Sequence, residues 1–336
     1  MDFMVMRKIA FICSILSLSI ITPIYVSSFS FATDVPKQAK RQVAITFDDL
    51  PFVSGGHDRP SINQRDALDT EKHILLTLRT EHIPATGFVN EDKVEALGQT
   101  GTDLLTEWNQ NELELGNHGY HHFDSNNLSV SDIEQEIVRG ETHIRPLAES
   151  VSRDIKFFRF PYNHTGDTEE RRIALADVLK KHGYSLAATT IDTEDYLFAQ
   201  AYDCAYSHHY NEDMPKIRSA FLDYVRIEVP YYQHLNETVM GRDVPAVMLL
   251  HASRLNAVVL KEILQIFRQN NYRFVTLSQA QSDPFYNLEP AVTTKYGPAW
   301  GYRWARERQI KVNGALEQEA PDWIKSYCTA HKANDD

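Results

Sequence analysis

Cysteine is scarce: the chain has three in 336 residues, Cys13, Cys204 and Cys328, and this length is not that of a small disulfide-stapled scaffold. Basic runs are missing. The 34 Lys and Arg are outnumbered by 46 Asp and Glu, giving a net charge of -12. Such a balance offers no electrostatic footprint for nucleic acid or anionic lipid, so no nucleic-acid partner is expected. Beyond residue 26 there is no long apolar run, which rules out a polytopic membrane protein. Internal repeats and low-complexity tracts are also absent. What remains, 43% hydrophobic and 24% charged, is an ordinary globular composition.

The one long apolar stretch, 9–26, follows Arg7 and Lys8 and gives way to Ser27, Ser28 and Ser30. Ser30-Phe31-Ala32 fits a small-x-small cleavage site, so residues 1–32 read as a secretory signal. The run is also long enough for an uncleaved anchor. The processing-like site favours cleavage, and no Cys follows the run to carry a lipid. The expectation is an exported protein, periplasmic or extracellular, with no stable membrane insertion after cleavage. In an oxidising compartment Cys204 and Cys328 either pair or stay as two thiols, and the sequence leaves both open.

Residues 33–40 read as a polar linker, 41–285 as one α/β domain, and 286–336 as a C-terminal extension packed on it. Short apolar runs at 43–47, 85–89, 114–117, 156–160, 185–190, 246–250 and 272–277 read as strands. Helical spacing of apolar residues marks 62–78, 132–147, 173–181 and 258–267, with Ser131 and Glu134 as a capping box for the second. The stretch 202–244 reads as a long connection holding a helix near 215–229. Strands alternating with helices predict a parallel sheet, open or closed into a barrel, with its site at the carboxyl ends of the strands.

Polar clusters stand at those ends. Asp48 and Asp49 follow the first strand; adjacent carboxylates repel and lose hydration on burial, and a cation resolves that conflict. His118 and His122 stand at i and i+4, which on a helical turn puts both imidazoles on one side, suited to one metal ion. With Asp49 they make a two-His, one-carboxylate set that suits Zn²⁺ best, with Fe²⁺, Co²⁺ or Mn²⁺ as other fits. Arg159-Phe160-Pro161-Tyr162 ends another strand, and its Arg suits a carboxylate. Asp192 to Tyr196 follows the next, and Leu249-Leu250-His251 another. A buried His beside a carboxylate has a raised pKa and suits general acid work. Each cluster alone is more often a surface turn or a satisfied core residue. All five in this order are not readily reached by chance.

In that order the clusters resemble the polysaccharide deacetylase family, also called the NodB homology domain or carbohydrate esterase family 4, over about residues 41–280. The resemblance implies a distorted (β/α)7 barrel and a metal-dependent hydrolase acting on an acetylated glycan. It implies Asp48 as general base, Asp49, His118 and His122 as metal ligands, and Arg159 as the residue that orients Asp48. It also implies the Tyr162 N–H as an oxyanion donor, His251 as general acid tuned by Asp195, and Leu249 as a wall for the acetyl methyl.

Some positions depart from the family pattern. Leu50-Pro51 stands where Gly usually follows the Asp pair, and Gly119 where Ser or Thr is usual. Phe160 replaces a common Pro, Asn163-His164 the usual Gly, and Tyr196, another pocket wall, a common Trp. These leave substrate identity open. O-acetyl esters, a non-sugar amide or cyclic imide, and a non-catalytic glycan-binding role stand as alternatives to N-deacetylation.

Overall fold

The computed structural model describes residues 41–54, 63–110 and 113–330. The expected signal, 1–32, and linker, 33–40, lie outside the described residues. The first half of the chain runs β1 (Arg41–Leu50), α1 (Gln64–Glu81), β2 (Ala85–Val89), α2 (Glu91–Leu97), α3 (Gln99–Trp108), β3 (Leu113–Asn117), α4 (Val130–Arg139), α5 (Ile144–Ser150), β4 (Phe157–Phe158) and α6 (Glu169–Lys181). It continues through β5 (Ser185–Leu186), β6 (Ile191–Asp192), α7 (Asp195–Ser207), α8 (Met214–Met240), β7 (Ala246–His251), α9 (Arg254–Gln269), β8 (Tyr272–Phe274), α10 (Leu277–Ala280), α11 (Trp300–Glu307) and α12 (Asp322–Lys325).

The sheet is parallel and runs β5-β4-β3-β2-β1-β7-β6, with β8 added to β1. Helices cover it, so its central strand is buried on both faces: Val43, Ala44, Ile45 and Phe47 of β1 are all inaccessible to solvent. Its two edge strands, β5 and β6, are consecutive in sequence. Residues 187–190 therefore cross from one edge to the other, bonded to β4 through Ala187 N–H to Phe158 O and to β7 through Thr190 N–H to Val247 O. The sheet curls because four residues must span its gap. The result is the distorted (β/α)7 barrel expected from the sequence.

Three local expectations change. The run 185–190 is not one strand, since its second half is that crossing segment, and the strand after it, β6, is additional. The helix expected over 132–147 breaks into α4 and α5 at Gly140, where a Cβ would come within 2.5 Å of Asn117 Oδ1 and 2.9 Å of the Gly119 backbone. Its cap is Ser129, which accepts from Asp132 N–H and donates to the Asp132 carboxylate, rather than Ser131 with Glu134. Residues 202–244 hold the end of α7 and the 27-residue α8, which continues through Pro230. An internal Pro costs a hydrogen bond and a clash, and the buried stripe Phe221, Val225, Val229 and Tyr232 offsets it. No disulfide joins Cys204 to Cys328. Among the described residues no helix is long and apolar enough to cross a membrane.

Candidate active site

The site opens at the carboxyl ends of the strands. Successive residues of a strand face opposite sides, so Asp48 and Asp49 would ordinarily diverge. The β1–β2 register shifts between Phe47 and Leu50, and Asp49 takes a left-handed φ of 68°. A bulge of this kind re-aims side chains at a barrel rim. Both carboxylates consequently approach His118, whose Nε2 lies 3.8 Å from Asp48 Oδ2 and 4.0 Å from Asp49 Oδ1.

His118 and His122 are not on a helical turn, contrary to the spacing argument. They sit on a loop after β3 that bends at Gly119, φ 85°. A side chain there would strike the Phe123 ring at 2.6 Å. The loop is braced from below: Gly119 N–H donates to Asn117 Oδ1, Tyr120 N–H to Glu136 O, and His121 N–H to Glu136 Oε2. His121 also sends Nδ1 to Glu136 Oε1 at 2.9 Å, away from its neighbours.

Asp49, His118 and His122 offer donor atoms that all lie within 4.8 Å of one another. Three features fit a divalent cation. His122 Nε2 stands 3.8 Å from Asp49 Oδ1. The other ring nitrogen of His118 is held 2.7 Å from the Arg159 carbonyl, the arrangement that directs Nε2 toward a metal. Burial lowers the His118 pKa, against the pull of Asp48 and Asp49, which favours the neutral imidazole that ligation requires.

Sequence reasoning missed Lys93. Its Nζ lies 3.0 Å from Asp49 Oδ1 and supplies a counter-charge to a carboxylate that is fully buried. It sits within α2, and no local signal marks it.

On one side of the donor set, Arg159 Nη1 donates to Asp48 Oδ1 at 2.7 Å and to Thr46 Oγ1 at 2.8 Å, while Nη2 donates to Ala188 O at 2.9 Å. The guanidinium thus ties β1 to the segment that closes the sheet. On the other side, His251 is the register partner of Asp48 across β1 and β7. Its Nδ1 lies 2.7 Å from Asp195 Oδ1, and its N–H donates to Asp195 Oδ2. Burial alone would lower the His251 pKa. Asp195 outweighs it and, with Asp49 and Asp48, raises the value to about 9. Asn256, also missed, donates Nδ2 to both Asp195 Oδ2 and His251 O.

Asp48, His118, His122, Tyr162, Tyr196, Leu249 and His251 line one cavity of about 650 Å³. Asp49, Arg159 and Asp195 are buried against them. The Tyr162 ring packs edge-on to His122, with centroids 4.4 Å apart. Asn163 also lines the cavity, as do Asp192 at the end of β6 and Glu194 after it, both from the cluster marked in the sequence. The rest of the wall was not foreseen: Tyr232 of α8, and Tyr296 to Ala299, Tyr302 and Glu317 from the C-terminal region. Burial raises the Asp192 pKa to about 6. Among the described residues no Lys or Arg lines the cavity. His164, beside the Tyr162 turn, bonds Asp124 at 2.8 Å instead of facing it.

Fold and site together define a curled parallel α/β barrel with a carboxylate–histidine centre at its mouth. Residues 36–187 match the family model described as polysaccharide deacetylase. Asp195 and His251 lie beyond the matched span. No curated protein matches the chain by sequence. Among solved structures it is similar to a CE4 family pseudoenzyme from Bacillus anthracis, at 16% identity and a TM-score of 0.48, covering 72% of this chain and 66% of that one. It is similar to the peptidoglycan deacetylase PdaC from Bacillus subtilis, at 22% identity and a TM-score of 0.45, covering 74% and 94%. A family 4 carbohydrate esterase from Streptomyces lividans, in complex with acetate, matches at 17% identity and a TM-score of 0.44, covering 71% and 95%.

Proposed function

We propose that the protein is an exported, metal-dependent hydrolase that removes acetyl groups from an acetylated glycan, amide-linked acetyl first. The observation that carries this is the pairing of opposite roles across one cavity. Asp48, a carboxylate paired with the Arg159 guanidinium, faces His251, an imidazole whose pKa Asp195 raises. Their Cα atoms are partners on adjacent strands, so the two are fixed on a rigid frame.

Asp49, His118 and His122 would hold the cation, with Zn²⁺ the best fit to this ligand set. When bound, a divalent ion supplies Lewis-acid polarisation of a carbonyl and acidifies water. The chain's own groups do the rest. Asp48 takes the proton of an attacking water as general base. The Tyr162 N–H donates to the carbonyl oxygen as charge develops there. His251 gives its proton to the departing nitrogen, without which an amine leaves poorly. Leu249 and Tyr196 supply wall for the acetyl group and sugar. Asp192, Glu194 and Glu317 in the lining support a neutral or amine-bearing sugar over an anionic one. Arg7-Lys8, the apolar run and Ser30-Phe31-Ala32 support export, and a mature N-terminus at Thr33 would establish it.

The test is acetate release from a panel of acetylated glycans by purified protein with Zn²⁺, with Co²⁺ and after chelation. Metal-dependent release from N-acetylglucosamine polymers is expected. Release from O-acetylated glycans alone would move the protein to ester hydrolysis. No release with metal bound stoichiometrically would overturn the glycan reading and direct attention to small amides, then to a binding role.

A further inference from the structure

We propose that the C-terminal region around α11 is a positioning element of the active site, in which Arg303 and Gly297 hold the Tyr162–Asn163 turn in its working geometry. This rests on the deacetylase reading above, which gives the Tyr162 N–H its task.

The turn does not hold itself. Tyr162 has φ 58° and Asn163 φ 54°, two consecutive non-glycine residues in the left-handed region. That region is strained for an L-residue, and a bulky Tyr there is an outlier. Such a conformation persists only where its surroundings over-determine it.

The surroundings are supplied from more than a hundred residues away in sequence. Arg303 Nη2 donates to Asn163 O at 2.5 Å, Nη1 to Thr165 Oγ1 at 2.6 Å, and Nε to Pro298 O at 2.9 Å. The planar fork spans both sides of the turn and ties it to the segment before α11. Arg303 is buried, and burial lowers its pKa to about 10, so it remains a cation at neutral pH. A buried guanidinium bonded to carbonyl and hydroxyl oxygens is costly, and the strained turn is what it secures.

Gly297 presses on the same turn. A Cβ added there would lie 1.8 Å from Tyr162 O and 2.7 Å from Asn163 Cβ. A third tie runs through Thr189, whose hydroxyl donates to Asn163 Oδ1 and whose carbonyl accepts from Trp300 N–H. Buried Trp300 and Trp304 anchor α11 beneath this contact. Tyr296, Pro298 and Tyr302 of the same region line the cavity, so one segment both walls the site and sets its Tyr162 turn.

The experiment compares full-length wild type with R303K, R303M and G297A. Three readouts are taken: hydrogen exchange of peptides covering 160–166, kcat and KM for acetate release, and bound zinc. Faster exchange at 160–166 is expected in all three variants. With it, kcat falls roughly 10- to 100-fold in R303M and G297A, KM and zinc content stay near wild type, and R303K is intermediate. Unchanged exchange in R303K and G297A overturns the proposal whatever the activity, as does faster exchange with full kcat. Should R303M fail to fold, R303K and G297A carry the test. If the wild type releases no acetate, the deacetylase reading fails while the exchange readout still reports on the latch.

Discussion

Arg159 Nη1 and Asp48 Oδ1 lie 2.7 Å apart, and both side chains are almost wholly buried. The guanidinium also rests over the Phe88 ring, 4.3 Å from its centroid, and reaches Thr46 and Ala188. It therefore does two things at once. It sets a positive charge against the buried Asp48 carboxylate, and it pins the crossing segment 187–190 to the centre of the sheet.

Removing one partner of such a pair leaves an uncompensated charge. R159M should destabilise the protein by about 3–5 kcal/mol in urea unfolding. It should also lower kcat on the order of 100-fold. R159K, with one ammonium in place of a fork, should recover part of the stability and little of the rate. A variant as stable and active as wild type would remove Arg159 from both roles.

D48N keeps the shape of Asp48 and loses its basicity. Turnover should fall by roughly 10²–10⁴-fold, the usual worth of a general base, while zinc binding is retained. Zinc content measured alongside acetate release separates this from loss of the metal. Undiminished hydrolysis would sink the base assignment.

Lys93 competes electrostatically for the carboxylate proposed to bind metal, 3.0 Å from Asp49 Oδ1. K93M removes that ammonium and should tighten zinc by at least about tenfold, a change of roughly 1.4 kcal/mol, in competition with a chromophoric chelator. H122A should weaken zinc in the same assay. A K93M protein with unaltered or weaker zinc affinity would show that Lys93 supports the ligand carboxylate instead of opposing the cation.

The His251 pair predicts a pH dependence of known sign. Its pKa rises from 6.5 to about 9 on folding, Asp195 prevailing over burial. The stability it contributes is full below pH 6.5 and is lost as pH rises through about 9. Metal-free wild type should lose on the order of 3 kcal/mol from this group across that window, and H251Q should lack the slope. The activity limb follows the same proton: kcat/KM should fall as His251 deprotonates. With the cation bound that limb should move to lower pH, because the cation cancels part of the pull of Asp49 and Asp48. A flat profile through pH 10 would remove His251 as the acid.

The helices show how far pattern carries. The strand at 85–89 and the helix at 258–267 are local matters of apolar period, and the observed β2 and α9 contain them. The break at Gly140 is not local, since what forbids a Cβ there is Asn117 and Gly119 of another element. The continuation of α8 through Pro230 is not local either, because the stop signal of Pro is overridden by a buried face visible only once the helix is packed.

The sequence by itself determined which residues could carry chemistry and in what order they reach the strand ends. Asp48, Asp49, His118, His122, Arg159 and His251 are legible because strand period and strand-end position are short-range properties. Only the tertiary structure decided that they share one cavity, that Asp49 turns left-handed to face the histidines, and that the histidine loop is no helix. Only it brought Lys93 to Asp49 and Arg303 to Asn163. Those contacts join residues 44 and 140 positions apart, and no periodicity within either segment encodes the other's place. They arise when the curled sheet sets its strand ends around one mouth and later segments pack against it.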